Sequence, residues 1–392
     1  MRKNIENKPG IVLLIVLVGF PQISETIFTP SLPQIATFYN TSMGVTQLTL
    51  SIYFLAFALG VFTWGWLSDI IGRRGAMNAG IILYGVGSIL CYLSPTITFL
   101  LVARFIQAFG ASTGSITTQT ILREAFSDQE RHHLFAQISA ALAFTPALGP
   151  LIGGIVGQYY GFKGVFLTLI VMSVVLFSYS YARLPETYQP ESRKKVSILN
   201  VTKRLLHSPR VLTFGLLIGV INGLLFSYYA EAPYVFIEVF GMSQSHYGFL
   251  GLVVALATIL GALSSKRQLA KKTPEHIIQS GLKVGLLGAF LLLLVVAIIP
   301  KVTVMMMVCY IFAIFVILFG TGMALPNCLS LALIDFKEEI GTAGAVFSLG
   351  YYLLVSLIIL VMSLLHDGRL IMMPVYFIVL LTISCFLARK HI

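Results

Sequence analysis

Three ionisable side chains stand where the surrounding sequence is almost wholly apolar, and a charge in such a run marks a polar interior or a pathway. Glu25 ends the run IVLLIVLVGFPQIS, Arg104 lies within FLLVARFIQAFG, and Glu231 follows GLLFSYYA. A carboxyl in this setting can take up and release a proton, because burial favours its neutral form and a nearby arginine its charged form. Counted at 1.5 Å per residue from Ile11, Glu25 lies roughly 21 Å along its run. Arg104, counted from the opposite side, lies roughly 18 Å from the same end of a ~30 Å core. The depths agree, so a Glu25–Arg104 pair is expected in the interior, with Glu231 as a second candidate for proton coupling. Tyr53, Gln107, Asn222, Tyr228, Tyr229 and Tyr234 would suit a broad apolar cavity with a few polar anchors.

The elements that hold these groups follow from composition. The 392 residues are 57% hydrophobic and only 10% charged, against about 25% charged for a soluble domain. So little charge cannot cover a surface in water, and lipid is the solvent that remains. Apolar runs of spanning length are expected at 11–38, 46–68, 76–94, 97–121, 133–157, 163–182, 210–237, 245–263, 277–299, 302–333, 340–365 and 371–388. The run from Ile11 has no small-residue cleavage site after it and reads as a first span rather than a signal peptide. The fold class is therefore an all-α polytopic membrane protein of twelve spans.

The connections alternate in charge. Arg2, Lys3 and Lys8, then Arg73 and Arg74, Arg123 and Arg131, the cluster from Arg183 to Arg210, Lys266 to Lys272, Lys337, and Arg389 and Lys390 fall on one side. Only Lys163, Lys301 and Arg369 fall on the other. The positive-inside rule places the basic face and both termini in the cytoplasm. The net charge of +11 is thus a matter of topology, and nucleic acid is not needed to explain it. The polar stretch 183–209 divides a bundle at 1–182 from one at 210–392, and Val196–Leu206 has the apolar spacing of a helix lying on the membrane surface. Two echoes link the halves. Gly65-Trp-Leu-Ser68 matches Gly261-Ala-Leu-Ser264, and Phe105-xxx-Phe109-Gly110 matches Phe315-xxx-Phe319-Gly320. Repeats of this kind place a substrate site near the midplane between two rocking halves.

Other chemistries find little support. Cys91, Cys309, Cys328 and Cys385 show no paired spacing, so packing is expected of them rather than metal or disulfide. His132, His133, His207 and His276 fall in or beside the basic loops, and Lys283 is expected to snorkel. No phosphate-binding G-xxxx-G-K-[ST] loop occurs, and no enzyme, cofactor or metal is expected.

The segment Gly65-Trp-Leu-Ser-Asp69-Ile-Ile-Gly72-Arg73-Arg74-Gly75 resembles motif A of the major facilitator superfamily, with Ile70 in place of the usual arginine. Arg104-Phe-Ile-Gln107-Ala-Phe-Gly110 resembles motif B, and Pro146-Ala-Leu-Gly149-Pro150-Leu-Ile-Gly153-Gly154 resembles motif C of the antiporter branch. With Thr26-Ile-Phe-Thr-Pro30-Ser-Leu-Pro33, Leu184-Pro-Glu-Thr187 and Gly322-Met-Ala-Leu-Pro326-Asn327, they are similar to the Bcr/CflA-type drug-resistance exporters among the twelve-span drug:proton antiporters. The resemblance implies two pseudo-symmetric six-helix halves, gating by Gly65, Asp69, Gly72, Arg73 and Arg74, and a helix kink at Pro146, Gly149, Pro150, Gly153 and Gly154. It implies spans 1 and 4 at the central cavity, with the family's acid in span 1 at Thr26, one residue or about 100° of helix from Glu25. It further implies proton-coupled export of small amphipathic compounds by a monomer in the bacterial cytoplasmic membrane. The alternative is a dedicated exporter of an endogenous polar or anionic metabolite, such as a metallophore.

Overall fold

The computed structural model describes residues 8–188 except 128–129, 131–133, 135–136 and 139–140, then 197–299 and 302–391. His132, His133, the start of the fifth expected span and the middle of the linker lie outside the described residues. Among the described residues there is no strand, and eleven helical stretches are long and apolar enough to cross a bilayer. One of these, Thr145–Arg183, has 39 residues and is broken at Gly161, where φ is 69° and ψ is 177°. At 1.5 Å per residue it is about twice as long as a bilayer core is thick. It is two spans, so there are twelve, as the sequence implies.

In chain order these are α1 (Ile11–Phe38), α2 (Met43–Ile71), α3 (Arg73–Leu93), α4 (Ile97–Ala125), α5 (145–160) and α6 (162–183). After the linker come α7 (Pro209–Val239), α8 (Gln244–Gln268), α9 (Pro274–Ile298), α10 (Val304–Phe336), α11 (Gly341–Leu365) and α12 (Met372–Lys390). Their starts are set by polar caps rather than by the apolar runs. Ser42, Thr96, Ser208, Ser243, Thr273 and Thr303 each accept a hydrogen bond from a backbone N–H three residues on. Such a cap typically contributes about 1 kcal/mol. On the basic face, Lys8 pairs with Glu130 at 2.8 Å; Lys8 and the Ser127 N–H and hydroxyl hold the pKa of the Glu130 carboxyl low, at about 2.

α1 is interrupted. Its helix runs to Thr26, tightens into a 3-10 turn at Thr29–Ser31 and resumes at Leu32, because Pro30 and Pro33 supply no N–H to the preceding turn. α5 packs against this break with its glycines. A methyl at Gly153 would overlap the Ile27 carbonyl, and one at Gly149 the Thr26 hydroxyl. The motif C residues therefore act here first by permitting close approach, the packing role that small residues serve between helices in lipid. Gly153→Ala is expected to cost about 1–3 kcal/mol through overpacking, read as a lowered unfolding midpoint of the protein in detergent.

α5 has a second close neighbour in the other half. Gly154 lies against the backbone of Gln244 and Gly248 on α8, and the Gln244 N–H donates to Gln158 at 3.0 Å. α2 meets α11 in parallel fashion. The Ser51 hydroxyl donates to the Ser356 carbonyl at 2.9 Å, and the Ser356 hydroxyl donates to the Ser51 carbonyl at 2.8 Å. Gly44 receives the Ser363 carbonyl at the end away from the basic face. The halves are thus sealed against each other on their non-basic side.

Of the two sequence echoes, one carries over into packing. Gly110 of α4 lies against the backbone at Gly80 and Tyr84 of α3, and Gly320 of α10 lies against Gly281 and Gly285 of α9. The other is out of register. Gly261 of α8 lies against the Phe319 carbonyl, and the residue set likewise against the Phe109 carbonyl is Gly60, whereas Gly65 touches only Ile116. A G-x-L-S match near a basic turn does not distinguish the contact glycine from its neighbour one turn on. The linker helix Ile198–Leu206 buries Val201 and Leu205 against Val211, Phe336 and Ala343. Arg204 pairs with Glu339 at 2.6 Å, so this helix is tied to the C-terminal half.

Candidate functional site

Arg104 is fully buried. Its guanidinium carbon lies 3.9 Å from the Phe28 ring centroid and 4.5 Å from that of Tyr53, a stack worth about 2 kcal/mol or more when desolvated. The guanidinium donates through Nη1 to Gln107 Oε1, while Nε and Nη2 have no hydrogen-bond partner. Glu25 is 9% exposed. The two groups act on each other electrostatically but form no ion pair within 4.0 Å. The direct pair expected from their matching depths is therefore corrected to a coupling at longer range. Depth along a span does not fix which way a side chain turns about the helix, and Arg104 is taken up by two aromatic faces and Gln107.

Glu25 also acts electrostatically on Tyr53 of α2, Tyr229 of α7, and Tyr351 and Tyr352 of α11. Its carboxyl thus lies within electrostatic reach of phenols from both halves. These belong to an aromatic belt between the halves, with ring centroids 4.3 Å apart for Phe54–Phe226, 5.0 Å for Phe57–Tyr352 and 4.4 Å for Tyr351–Tyr352. From the belt a cavity lined by Ser115, Gln119, Arg123, Gly344 and Ser348 runs between α4 and α11 toward the basic face. The site is closed on the non-basic side, and a small cavity lies between it and the basic face.

The remaining expected cavity residues separate into four groups. Tyr53 and Tyr229 lie at the belt, and the Tyr229 hydroxyl donates across the halves to the Pro146 carbonyl at 2.9 Å. Gln107 and Asn222 have amide hydrogen bonds to their own half. The Gln107 amide donates to Ser88 at 2.8 Å inside the N-terminal half, and Asn222 donates to the Ile218 carbonyl of its own helix. Tyr228 is buried in the C-terminal half beside Tyr229. Tyr234 lies at the non-basic end, its hydroxyl donating to the Gly368 carbonyl at 2.8 Å. Glu231 is there too, buried and bonded to His366 Nδ1 at 2.9 Å and 3.1 Å. Sequence reasoning misses His366 because it lies in a short polar turn between spans. A histidine directly after a long apolar run is the signal that could have found it.

At the basic face, motif A forms a charge cluster. Gly72 has φ 83° and ψ 162°, a conformation reserved for glycine. Arg73 is nearly buried; it pairs with Asp69 and with Glu124, each at 2.6 Å, and its Nη1 donates to the Ser68 hydroxyl at 2.8 Å. Arg73 thus supplies the cation that Ile70 does not. The Glu186 carboxylate accepts from the backbone N–H groups of Arg73 and Arg74 at 2.9 Å and 3.1 Å, where a negative group favours the start of α3. Arg74 donates to the Tyr181 carbonyl. The Leu184-Pro-Glu-Thr187 segment thereby closes motif A, with the Thr187 hydroxyl donating to Glu124 at 3.3 Å. From sequence, Glu124 is legible only as an acid near the end of a span.

The chain was compared with known proteins. The family model described as Major Facilitator Superfamily matches residues 14–387. An uncharacterized transporter of Rickettsia bellii is 32% identical over 378 residues, covering 94% of this chain and 93% of that protein. Multidrug resistance protein D of Escherichia coli K12 is 25% identical, covering 86% and 83%. Among solved structures, a D-xylose-proton symporter superposes with a TM-score of 0.77 at 15% identity, covering 97% of this chain and 96% of that one. Twelve spans, an aromatic belt between two halves and a family match along nearly the whole length agree, and the chain belongs to the Major Facilitator Superfamily.

Proposed function

We propose that this membrane transporter is a proton-coupled antiporter that expels small amphipathic compounds from the bacterial cytoplasm by alternating access. The observation that carries the reading is Glu25, a buried acid within α1 that acts electrostatically on tyrosines of both halves. A proton on Glu25 and a substrate among the rings would compete for one place, which is the minimum an antiporter requires. The basic face is then cytoplasmic with both termini, and the present state is the one sealed on the opposite, non-basic side. Residues 1–182 and 210–392 move as units joined by 183–209. Asp69, Gly72, Arg73 and Arg74, with Gly65 beside them, form the cytoplasmic gate, and the Pro146–Gly154 segment is the surface on which α5 slides. The protein acts as a monomer without a cofactor.

A resistance role in the name of the Escherichia coli relative agrees with export of foreign compounds. An anionic cargo has less support, because Arg104 is enclosed between Phe28 and Tyr53 and offers no free face to the opening. The reading is tested in everted membrane vesicles with an acid interior, with lipophilic dyes and anionic chelators offered in parallel. Amphipathic compounds are expected to accumulate and to leave when a protonophore is added. Accumulation of the anionic chelators alone would overturn this choice of cargo.

A further inference from the structure

The sealed end of the molecule contains an acid–histidine pair that the Glu25 site does not use. Glu231 and His366 are both nearly enclosed, with side-chain exposures of 6% and 11%, and both carboxylate oxygens lie within hydrogen-bond distance of Nδ1. With Glu231 ionised its carboxylate only accepts, so Nδ1 donates to it and Nε2 is left free to take up a proton. The His366 ring stands edge-on to Tyr234, with centroids 4.8 Å apart, and the Tyr234 hydroxyl holds the Gly368 carbonyl. Just after Pro233 the helix widens into a π-helical turn, Tyr234–Val239. A single π turn inside an α-helix is often associated with a functional site.

His366 caps the end of α11, and this end meets the first turn of α2. Gly44 lies directly against the Ser363 carbonyl and next to His366 Cβ. Glu231, through His366, therefore fixes the piece of α11 that closes the non-basic mouth. Glu231 acts electrostatically on Tyr234 of α7 and Tyr310 of α10, and Glu238 and Asp367 act on Tyr234; Arg369 pairs with Asp367 in the following turn, and α8 and α12 bring His246, Tyr247 and Tyr376 to the elements around this end. The first turn of α2 and the second segment of α1, which pack against this region, carry no titratable or charged group.

We propose that Glu231 and His366 form a second proton-binding site, distinct from Glu25, whose loading locks the non-basic mouth shut. With His366 neutral the contact is a hydrogen bond. A proton on Nε2 turns this bond to a carboxylate into an ion pair in a poorly hydrated place, where opposite charges attract more strongly than in water. Protonation therefore favours the closed mouth, and raising the pH loosens it. Histidine is the side chain suited to such a change in the physiological range. This deepens the antiport reading and rests on it for the direction of protons. After cargo leaves from the open mouth, an external proton on this pair would draw the end of α11 back onto α2 and return the protein to its inward state.

The test measures conformation, not transport. Spin labels at Thr98 and Val302, exposed on opposite halves at the non-basic end, would report the width of the mouth. This would be done in full-length protein with its native cysteines replaced, reconstituted in lipid. The open population is expected to rise about threefold or more between about pH 6 and about pH 8. His366→Asn keeps an N–H near Nδ1 without a titrating ring, and should flatten that dependence while still closing. Glu231→Gln, which leaves a charged His366 without its counter-ion, should fail to close at the lower pH. An unchanged pH dependence in His366→Asn, or none in the parent protein, would overturn the proposal. A flat vesicle assay beside an intact, His366-dependent conformational response would instead count against the antiport reading alone.

Discussion

Glu25→Gln should lower the substrate accumulation driven by a pH gradient to the ratio expected without any gradient, while leaving exchange of substrate for substrate in place. A gradient of one pH unit supplies about 1.4 kcal/mol per proton, enough for one coupled proton to sustain roughly a tenfold substrate ratio. Glutamine preserves the size and hydrogen bonding of the side chain but carries no exchangeable charge, so the expected ratio falls from about ten to about one. The amide remains among Tyr53, Tyr229, Tyr351 and Tyr352, so binding and counterflow persist. Parallel measurement of counterflow and gradient-driven uptake in the same vesicles separates the two. Full accumulation by the variant would remove Glu25 from the coupling step and leave Glu231 as the remaining buried acid to test.

Arg104 gives the second large effect. Its charge is buried between two rings and bonded to Gln107, with no carboxylate close enough to neutralise it directly. Arg104→Lys retains the charge but gives up the flat cation that matches the Phe28 and Tyr53 faces. A loss of about 2 kcal/mol or more is expected, the size of the desolvated stack. Arg104→Ala removes the charge and leaves a void, and a core cavity of that kind costs about 2–5 kcal/mol. Unfolding midpoints in detergent should therefore fall in the order wild type, lysine, alanine. If lysine equals arginine in both stability and transport, the stack is not what holds this part of the site.

Much of the fold is legible in the sequence because lipid leaves a chain few options. Without water, backbone groups must bond within helices, so apolar run length and loop charge dictate the spans and their alternation. Gly72 and Arg73 are legible for a related reason, since a tight turn between two spans admits few residue types. Side-chain direction is not legible. Glu25 and Arg104 reach similar depths, yet Arg104 takes Phe28 and Tyr53 as its partners, and nothing in spacing along one helix reports the face presented by another. Gln107 and Asn222 mislead in the same way, since an amide in an apolar run can be satisfied by its own helix or its neighbour. Glu124, Glu186 and His366 stay hidden because they act at span ends, where polar residues are ordinary and only a partner distant in sequence gives them meaning. The break in α1 is visible as Pro30 and Pro33, but that α5 presses Gly153 onto it is not.

The most direct test of the central claim is proton movement itself. The purified protein would be reconstituted into proteoliposomes holding a pH-sensitive dye and an imposed pH gradient, with the chain oriented as in everted vesicles. Adding an amphipathic substrate is expected to dissipate the gradient at a rate that depends on substrate, and not to do so with Glu25→Gln. Substrate uptake driven by a sodium gradient alone, with no proton movement, would contradict the account.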